Sequence, residues 1–538
     1  MRTYLAIVIF FVAAFGPDAL ADVWGQSGTL TADGPSEYDY FGTAVAATDG
    51  WLFISSTNGV YVYETTNGAP TLREVVPIAF AYLNQHHLRV SGDRLYVGDP
   101  GGVGRVLEYQ LQAGSWNHLT ATIVPDEPPG SPVDVYGFGR AIAASPDYLV
   151  IGAPSTRVGN REGAGAAYIY ERVGDDWVRV ARLLDDAPGE TEYFGSTLSI
   201  NLDAIAVGCF DSDDIPLAGS VTIFRRGGAA WMPEVELVSS DPASREHFGA
   251  YGVAFSGDAL LVTCPNDIYG GLVDCGSVRV FEFIAGHWEE TQILIASDAT
   301  DGTQLGNCIS SSAERVLVGG GEGSYPETAS AYVFMNTGAG WVEESRLQFV
   351  PAPSQGWQMR VGIAPNHAIV TDVHYSEGNR LWAGIAYVFE SYSDCDSNQV
   401  PDWQEIADGT AQDCNDNQII DSCEIAEGAD DCDQNGIPDS CDLENDGADC
   451  NGNGRLDTCD ISAGTTADVN QNGIPDECEC IGDLTGDQVV GLDDLARLLS
   501  NFGTPSGAEF PDGDVDDDGD VDLSDLSTLL AQFGTICP

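Results

Sequence analysis

The chain has 538 residues and a formal charge of −63, from 84 acidic residues against 21 basic ones. Every basic residue is arginine, which excludes catalytic lysine chemistry, and so small a basic surface excludes a nucleic-acid partner. The 43% hydrophobic content is that of a globular chain, so the acidity is not simple disorder.

The charge is uneven. Residues 394–538 hold 37 acids and two arginines, Arg455 and Arg497, a net of −35, whereas the preceding 393 residues carry −28. A solvated acidic tail and a series of cation sites both fit that composition, and residue spacing decides between them.

Residues 1–21, MRTYLAIVIFFVAAFGPDALA, have one arginine, an apolar run from Leu5 to Phe15, and Ala19-Leu20-Ala21. This pattern predicts a signal peptide cleaved after Ala21, hence a secreted or cell-surface, extracellular protein. The run is short for a bilayer and no second one exists, so no integral membrane segment is expected. Fourteen cysteines in an exported chain point to disulfides.

Residues 22–392 repeat every 50–60 residues. Phe41-Gly42, Phe138-Gly139, Phe194-Gly195 and Phe248-Gly249 each precede a short alternating strand, with weaker copies around Phe80–Leu83, at Leu305-Gly306 and at Trp357. A second strand, a glycine-rich loop, a third strand and a tryptophan-led fourth strand follow, the last marked by Trp24, Trp116, Trp177, Trp231, Trp288 and Trp341, with a degenerate copy near Pro70. Period-2 alternation between glycine turns predicts β structure, and four strands in seven units predict a mainly β chain, a seven-bladed propeller. The first strand is expected to complete the last blade and so leave no exposed edge.

These motifs, with Gly152-Ala153-Pro154, resemble the FG-GAP repeats of integrin-alpha-like propellers. The resemblance implies an extracellular protein or glycan ligand bound by blade loops. In that family some blades hold calcium, and the nearest acidic candidate here is Asp211, Asp213 and Asp214, whose spacing better fits a solvated loop. Cys264 and Cys275 bracket a loop and suggest a staple, leaving Cys209 and Cys308; Cys264 with Cys308 is the alternative. Adjacent His86 and His87 lack helical metal-ligand spacing, and no serine elbow or phosphate loop appears. The enzymatic alternative is a polysaccharide hydrolase or lyase with an acidic propeller cleft.

Residues 393–479 contain five copies of D-x-[DN]-x-N-x-x-x-D-x-x-[DE], starting 18 or 19 residues apart. Oxygen ligands fall at loop positions 1, 3, 5, 9 and 12, a spacing that wraps a calcium ion, with a position-7 carbonyl able to join. The first set is Asp394, Asp396, Asn398, Asp402 and Glu405, and the second Asp413, Asn415, Asn417, Asp421 and Glu424. Asp431, Asp433, Asn435, Asp439 and Asp442 form the third, and Asp449, Asn451, Asn453, Asp457 and Asp460 the fourth. The fifth is Asp468, Asn470, Asn472, Asp476 and Glu479. Gly436, Gly454 and Gly473 hold the turn position, where the first two loops have Gln399 and Gln418. No helix-length amphipathic segment flanks the loops, so metal and disulfides must replace a core. The segment resembles thrombospondin type-3 calcium repeats, which implies a calcium-rigidified spacer. Cys423 with Cys432, Cys441 with Cys450, Cys395 with Cys414 and Cys459 with Cys478 is the expected pairing, and pairing within units, such as Cys432 with Cys441, is its rival.

Residues 480–538 contain a loop and short helix duplicated at an offset of 31 residues. The first loop offers Asp483, Thr485, Asp487, the Val489 carbonyl and Asp494; the second offers Asp514, Asp516, Asp518, the Asp520 carbonyl, Asp522 and Asp525. Helices with Leu495, Leu498, Leu499 and Phe502, then Leu526, Leu529, Leu530 and Phe533, stop at Gly503 and Gly534. The pair resembles a dockerin domain, departing from it at Thr485 and Gly491, and the resemblance implies a cohesin-like partner on the helical face. An intramolecular calcium-held cap is the alternative, and Cys480 and Cys537 flank the pair as a candidate clasp. The expected whole is a calcium-binding adhesion or assembly protein.

Overall fold

The computed structural model describes residues 21–536 apart from 33–36, 66–69, 79–86, 128–130, 132, 187, 212–216, 229, 242–245, 322–329, 351–358, 377, 379, 396–397, 399, 416, 418, 444–448, 451, 467–474, 476–480 and 517. The proposed signal segment, Asp213 and Asp214, the Phe80–Leu83 and Trp357 copies, Gln399, Gln418 and the fifth tail loop therefore lie outside the described residues. The chain divides into two compact units, residues 22–392 and residues 393–538.

In the first unit the alternating segments form seven four-stranded antiparallel sheets. Six are consecutive meanders within residues 45–77, 87–123, 141–183, 197–237, 253–294 and 308–347. The seventh joins Met359–Ile363, His367–Asp372 and Ile385–Asp394 to the N-terminal strand Ala21–Leu30, which lies outermost. The first and last parts of the propeller thus share one blade, as the repeat phase predicts.

The Phe-Gly pair straddles neighbouring blades. Its Phe N–H donates backward: Phe138 to the Val103 carbonyl, Phe194 to Ala164, Phe248 to Ala218, and Phe41 to Ala383 across the ring closure. Its Gly N–H donates to the second strand of its own blade, as from Gly139 to Gly152 and from Gly195 to Gly208. Leu305-Gly306 does the same with Cys275 and Gly319, so the weak copy is structurally equivalent. The residue accepting the phenylalanine backbone is itself a glycine neighbour. Gly104, Gly165, Gly219, Gly276 and Gly384 all have φ between 75° and 88°, and a Cβ on any would overlap the incoming Phe or Leu backbone.

The tryptophans make a second, outer stitch. Trp116 packs edge-on against Phe53 at 5.0 Å, Trp177 against Tyr96 at 6.1 Å and Trp231 against Tyr148 at 5.4 Å, each reaching one blade back. Trp24 donates through Nε1 to Glu344 at 3.0 Å, tying the N-terminal strand to the sixth blade. Seven hydrophobic clusters result, each shared by two adjacent blades.

The cysteine expectations for this unit fail. Cys209, Cys264, Cys275 and Cys308 are buried thiols, so neither the loop staple nor the Cys264–Cys308 pair forms. Cys264 ends a second strand and is packed in the fourth–fifth blade cluster, while the Cys275 thiol donates to the Asp267 carbonyl at 3.5 Å. The loop is already held by backbone bonds from Asp267 to Cys264 and Gly276 to Asp267.

Among its described residues the second unit has six short α-helices: α1 Asp402–Asp408, α2 Asp421–Glu427, α3 Asp439–Asp442, α4 Asp457–Ala463, α5 Leu492–Asn501 and α6 Leu523–Ala531. The first four begin within the acidic loops and are shorter than the helix-length amphipathic segments that the sequence lacks. They have at most seven residues, too few for an amphipathic period to show in sequence. No helix among the described residues is long and apolar enough to cross a membrane.

Gly165→Ala should destabilise the propeller by at least about 2 kcal/mol, since strain and overpacking coincide there. Gly174→Ala, at a positive-φ turn open to solvent, should cost about 1 kcal/mol. Trp24→Ala should cost about 3–5 kcal/mol. Denaturant unfolding of the three variants measures all of these.

Candidate metal centres

Each described tail loop closes through the same backbone-to-side-chain bonds. The position-5 N–H donates to the position-1 carboxylate, at 3.1 Å for Asn398 to Asp394, Asn417 to Asp413, Asn435 to Asp431 and Asn453 to Asp449. The position-2 N–H donates to the position-9 carboxylate: Cys395 to Asp402, Cys414 to Asp421, Cys432 to Asp439 and Cys450 to Asp457. The position-5 amide then donates to position 12, from Asn398 to Glu405, Asn417 to Glu424, Asn435 to Asp442 and Asn453 to Asp460. In the second loop the Asn415 amide also reaches Glu424.

Helices α1 to α4 start at position 9, which places positions 9 and 12 in the first turn, where the helix dipole favours negative charge. Gly409, Gly428 and Gly464 end α1, α2 and α4 in the left-handed conformation. Each loop therefore needs only twelve residues and one helical turn to aim its side-chain oxygens inward.

Carboxylate oxygens from Asp431, Asp433 and Asp439 lie within 4.8 Å of one another, as do those of Asp483, Asp487 and Asp494, and of Asp514, Asp516 and Asp525. Each of these clusters could hold a metal ion. Glu405 Oε2, Asp421 Oδ2, Asp516 Oδ1 and Asp520 Oδ1 are buried and receive no hydrogen bond among the described residues. A buried carboxylate oxygen without a donor is costly, and a cation is the partner that fits an all-oxygen donor set. Asp396, Asn451, Asp468, Asn470, Asn472, Asp476 and Glu479 lie outside the described residues.

The two C-terminal loops are related by the 31-residue duplication. Val515 N–H and Asp522 N–H donate to the two oxygens of Asp525, as Thr485 and Gly491 do to Asp494. Asp518 and Gly519 donate to Asp514, as Asp487 and Gln488 do to Asp483. Thr485 Oγ1 donates to Asp494 at 3.0 Å. Each loop also pairs with the segment that follows the other's helix, Val489 with Ile536 and Val521 with Thr504. Leu484, Val490, Leu498 and their duplicates Val515, Val521 and Leu529 form the small core.

Electrostatics separates the two loops. Lost hydration and the charges of Asp525 and Asp518 push Asp514 up from the usual carboxylate range, and lost hydration with four neighbouring aspartates does the same to Asp520. For Asp433 lost hydration leads, with Asp431 and Asp442 adding to the rise. At Asp483 the backbone N–H groups of Gln488, Gly486, Asp487 and Thr485 outweigh lost hydration and hold the pKa low.

The disulfides overturn both expected pairings. Cys395 joins Cys423, Cys414 joins Cys441, and Cys432 joins Cys459, spanning 27 or 28 residues. Each bond ties position 2 of one loop to the helix of the next loop, so successive bonds overlap. Neighbouring cysteines such as Cys423 and Cys432 lie on different rungs of this ladder. Cys450 is also disulfide-bonded; Cys478, Cys480 and Cys537 lie outside the described residues. The equal spacing was the available signal: 28, 27 and 27 residues separate cysteines at matching loop positions.

Sequence reading also missed Arg455, at position 7 of the fourth loop, whose Nη1 stands 3.7 Å from Asp460. The acidic-cleft expectation meets a different chemistry: the large propeller cavity is lined by no aspartate or glutamate among the described residues.

No protein-family model matches the chain, and no curated protein matches it. Among solved structures it is similar to a chain of the mitotic checkpoint complex, at 13% identity and a TM-score of 0.44, covering 73% of this chain and 99% of that one. It is also similar to Sqt1 of Saccharomyces cerevisiae, at 10% identity and a TM-score of 0.38, covering 68% and 98%. A 6-phosphogluconolactonase from Bacteroides fragilis gives 10%, 0.38, 65% and 91%. The seven-blade architecture rests on the strand order and not on these likenesses.

Non-reducing peptide mapping should recover Cys395–Cys423, Cys414–Cys441 and Cys432–Cys459. The same offset predicts Cys450 linked to Cys478; recovery of any pair of consecutive cysteines, such as Cys441–Cys450, would contradict the ladder.

Proposed function

We propose that the chain is a secreted calcium-binding adhesion or assembly protein, with residues 1–21 its signal peptide. Residues 22–392 form an FG-GAP-type propeller offering a loop face to an extracellular protein or glycan. Residues 393–479 form a thrombospondin type-3-like spacer, and residues 480–538 a dockerin-like docking module. The observation that carries this reading is the repeated loop closure, in which carboxylates converge from positions 1, 3 and 9 in the third loop and from positions 1, 3 or 5, and 12 in the two C-terminal loops, and some buried oxygens receive no donor among the described residues. The overlapping disulfides support an oxidising compartment.

Calcium would supply the positive charge that six to eight converging oxygens require. The remaining work belongs to the chain. Position 1 organises the loop backbone, position 9 starts the helix and anchors position 2, and position 12 closes the ring from the first helical turn. In the docking module, the buried Leu498 and Leu529 hold α5 and α6 together. Their neighbours Leu499 and Leu530 are half exposed, at 51% and 50%, and Phe502 and Phe533 are 42% and 43% exposed. This duplicated apolar surface supports a protein partner of cohesin-like type.

Three outcomes test the reading. Calcium at about 100 times its Kd should stabilise the tail by about 2.7 kcal/mol per site, while the propeller transition stays in place; a tail transition unmoved by chelator would contradict it. Because the metal-free pKa values of Asp514 and Asp520 are raised, their contribution to stability is present below the unfolded carboxylate value and lost as pH rises. The chelated tail should therefore be more ordered near pH 4 than at pH 7, and the calcium-loaded tail the reverse, as circular dichroism would show. Leu499→Glu with Leu530→Glu should abolish capture of a cohesin-like domain without changing calcium binding.

A further inference from the structure

A cavity of about 600 Å³ occupies the middle of the propeller, bounded by the innermost strands of all seven blades. In a chain with four acids to every arginine, its lining contains Arg89, Arg140 and Arg360 and no acid among the described residues. Other buried or half-buried arginines of the propeller are matched to carboxylates, as Arg94 to Glu108, Arg279 to Asp267 and Glu290, and Arg315 to Glu344. The three channel arginines have no such ion pair among the described residues. Arg360 donates to the Met359 carbonyl, while the buried Arg89 Nε has no hydrogen-bond partner among the described residues.

The unsatisfied groups here are mainly donors. The Asn307 amide nitrogen is also buried without a partner among the described residues. His87 stands beside the arginines; lost hydration, then the charges of Arg89, Arg140 and Arg360, take its pKa down to about 3, so it adds no charge at neutral pH. Tyr193, Phe210 and Tyr251 add aromatic wall, with Phe210 6.2 Å from Tyr193 and 6.1 Å from Tyr251. Converging guanidiniums, an orphaned amide donor and no carboxylate make a site whose missing component is negative charge with acceptor oxygens.

We propose that the propeller channel binds a small molecule carrying one or more oxyanion groups, held by Arg89, Arg140 and Arg360. A sulfate, a phosphate ester and a carboxylate offer guanidinium the same paired oxygens, so the chemistry is shared and the experiment identifies the source. The site is in the channel and not on the loop face or the tail, so it stands or falls independently of the function proposed above.

The test is calorimetric titration of the full-length, calcium-loaded protein with sodium sulfate, glycerol phosphate or succinate, against sodium chloride at matched ionic strength. Weak calcium chelators are chosen so that the tail is not stripped. The expected result is saturable one-to-one binding of at least one probe, weakened at least tenfold by Arg140→Gln and unchanged by Arg161→Gln, at an exposed site outside the cavity lining. The tightest probe names the oxyanion class. Arg140 is itself exposed, so its replacement should leave the melting temperature of the anion-free protein unchanged or raised. No saturable heat from any probe, or undiminished binding by Arg140→Gln, overturns the proposal.

Discussion

The propeller depends on one close approach, repeated around the ring: the backbone of a Phe-Gly pair lying against a glycine of the preceding blade. A four-stranded sheet of this size cannot bury both of its faces alone. Contact with its neighbours must therefore be close near the axis, where strands crowd. A glycine with φ near 80° provides that clearance, and the phenylalanine that enters is fully buried, as at Phe41, Phe138, Phe194 and Phe248. Tryptophans on the outer strands secure the wider rim of the same interfaces. The hydrophobic clusters are consequently properties of blade pairs, and the ring is complete only because Ala21–Leu30 supplies the last edge.

The tail solves the opposite problem. Its net charge of −35 and sparse apolar residues cannot sustain a propeller-like core. Order there comes from twelve-residue loops that bond to themselves, from helices too short to stand alone, and from disulfides that overlap instead of closing individual loops. Under the proposed function, seven divalent ions would reduce the tail's formal charge from −35 to −21. Most of the apparent excess is then a set of ligands, held close enough that carboxylates such as Asp514 and Asp520 are pushed above their ordinary range in the metal-free chain.

Features set by neighbouring residues were legible before the fold. Phe-Gly pairs, tryptophan-led strands, blade number and ring closure follow from period-2 alternation and a repeat phase. Loop positions 1, 5, 9 and 12 follow from spacing, because twelve residues of chain can bring those side chains to one point. Less legible were the four tail helices, which at four to seven residues are too short for an amphipathic pattern to repeat. The disulfide register was misread because proximity in sequence favoured adjacent cysteines, whereas each loop presents its cysteine to the helix of the next.

By itself, then, the sequence determined the repeating units: their strands, their turns and the acidic loops whose geometry is local. Tertiary structure alone decided what the repeats do together. It left Cys264 and Cys275 as thiols, placed Leu499 and Leu530 half in solvent, and gathered Arg89, Arg140 and Arg360 at one channel from three different blades. Those arginines are separated by 51 and 220 residues, and only closure of the ring brings them to a common centre.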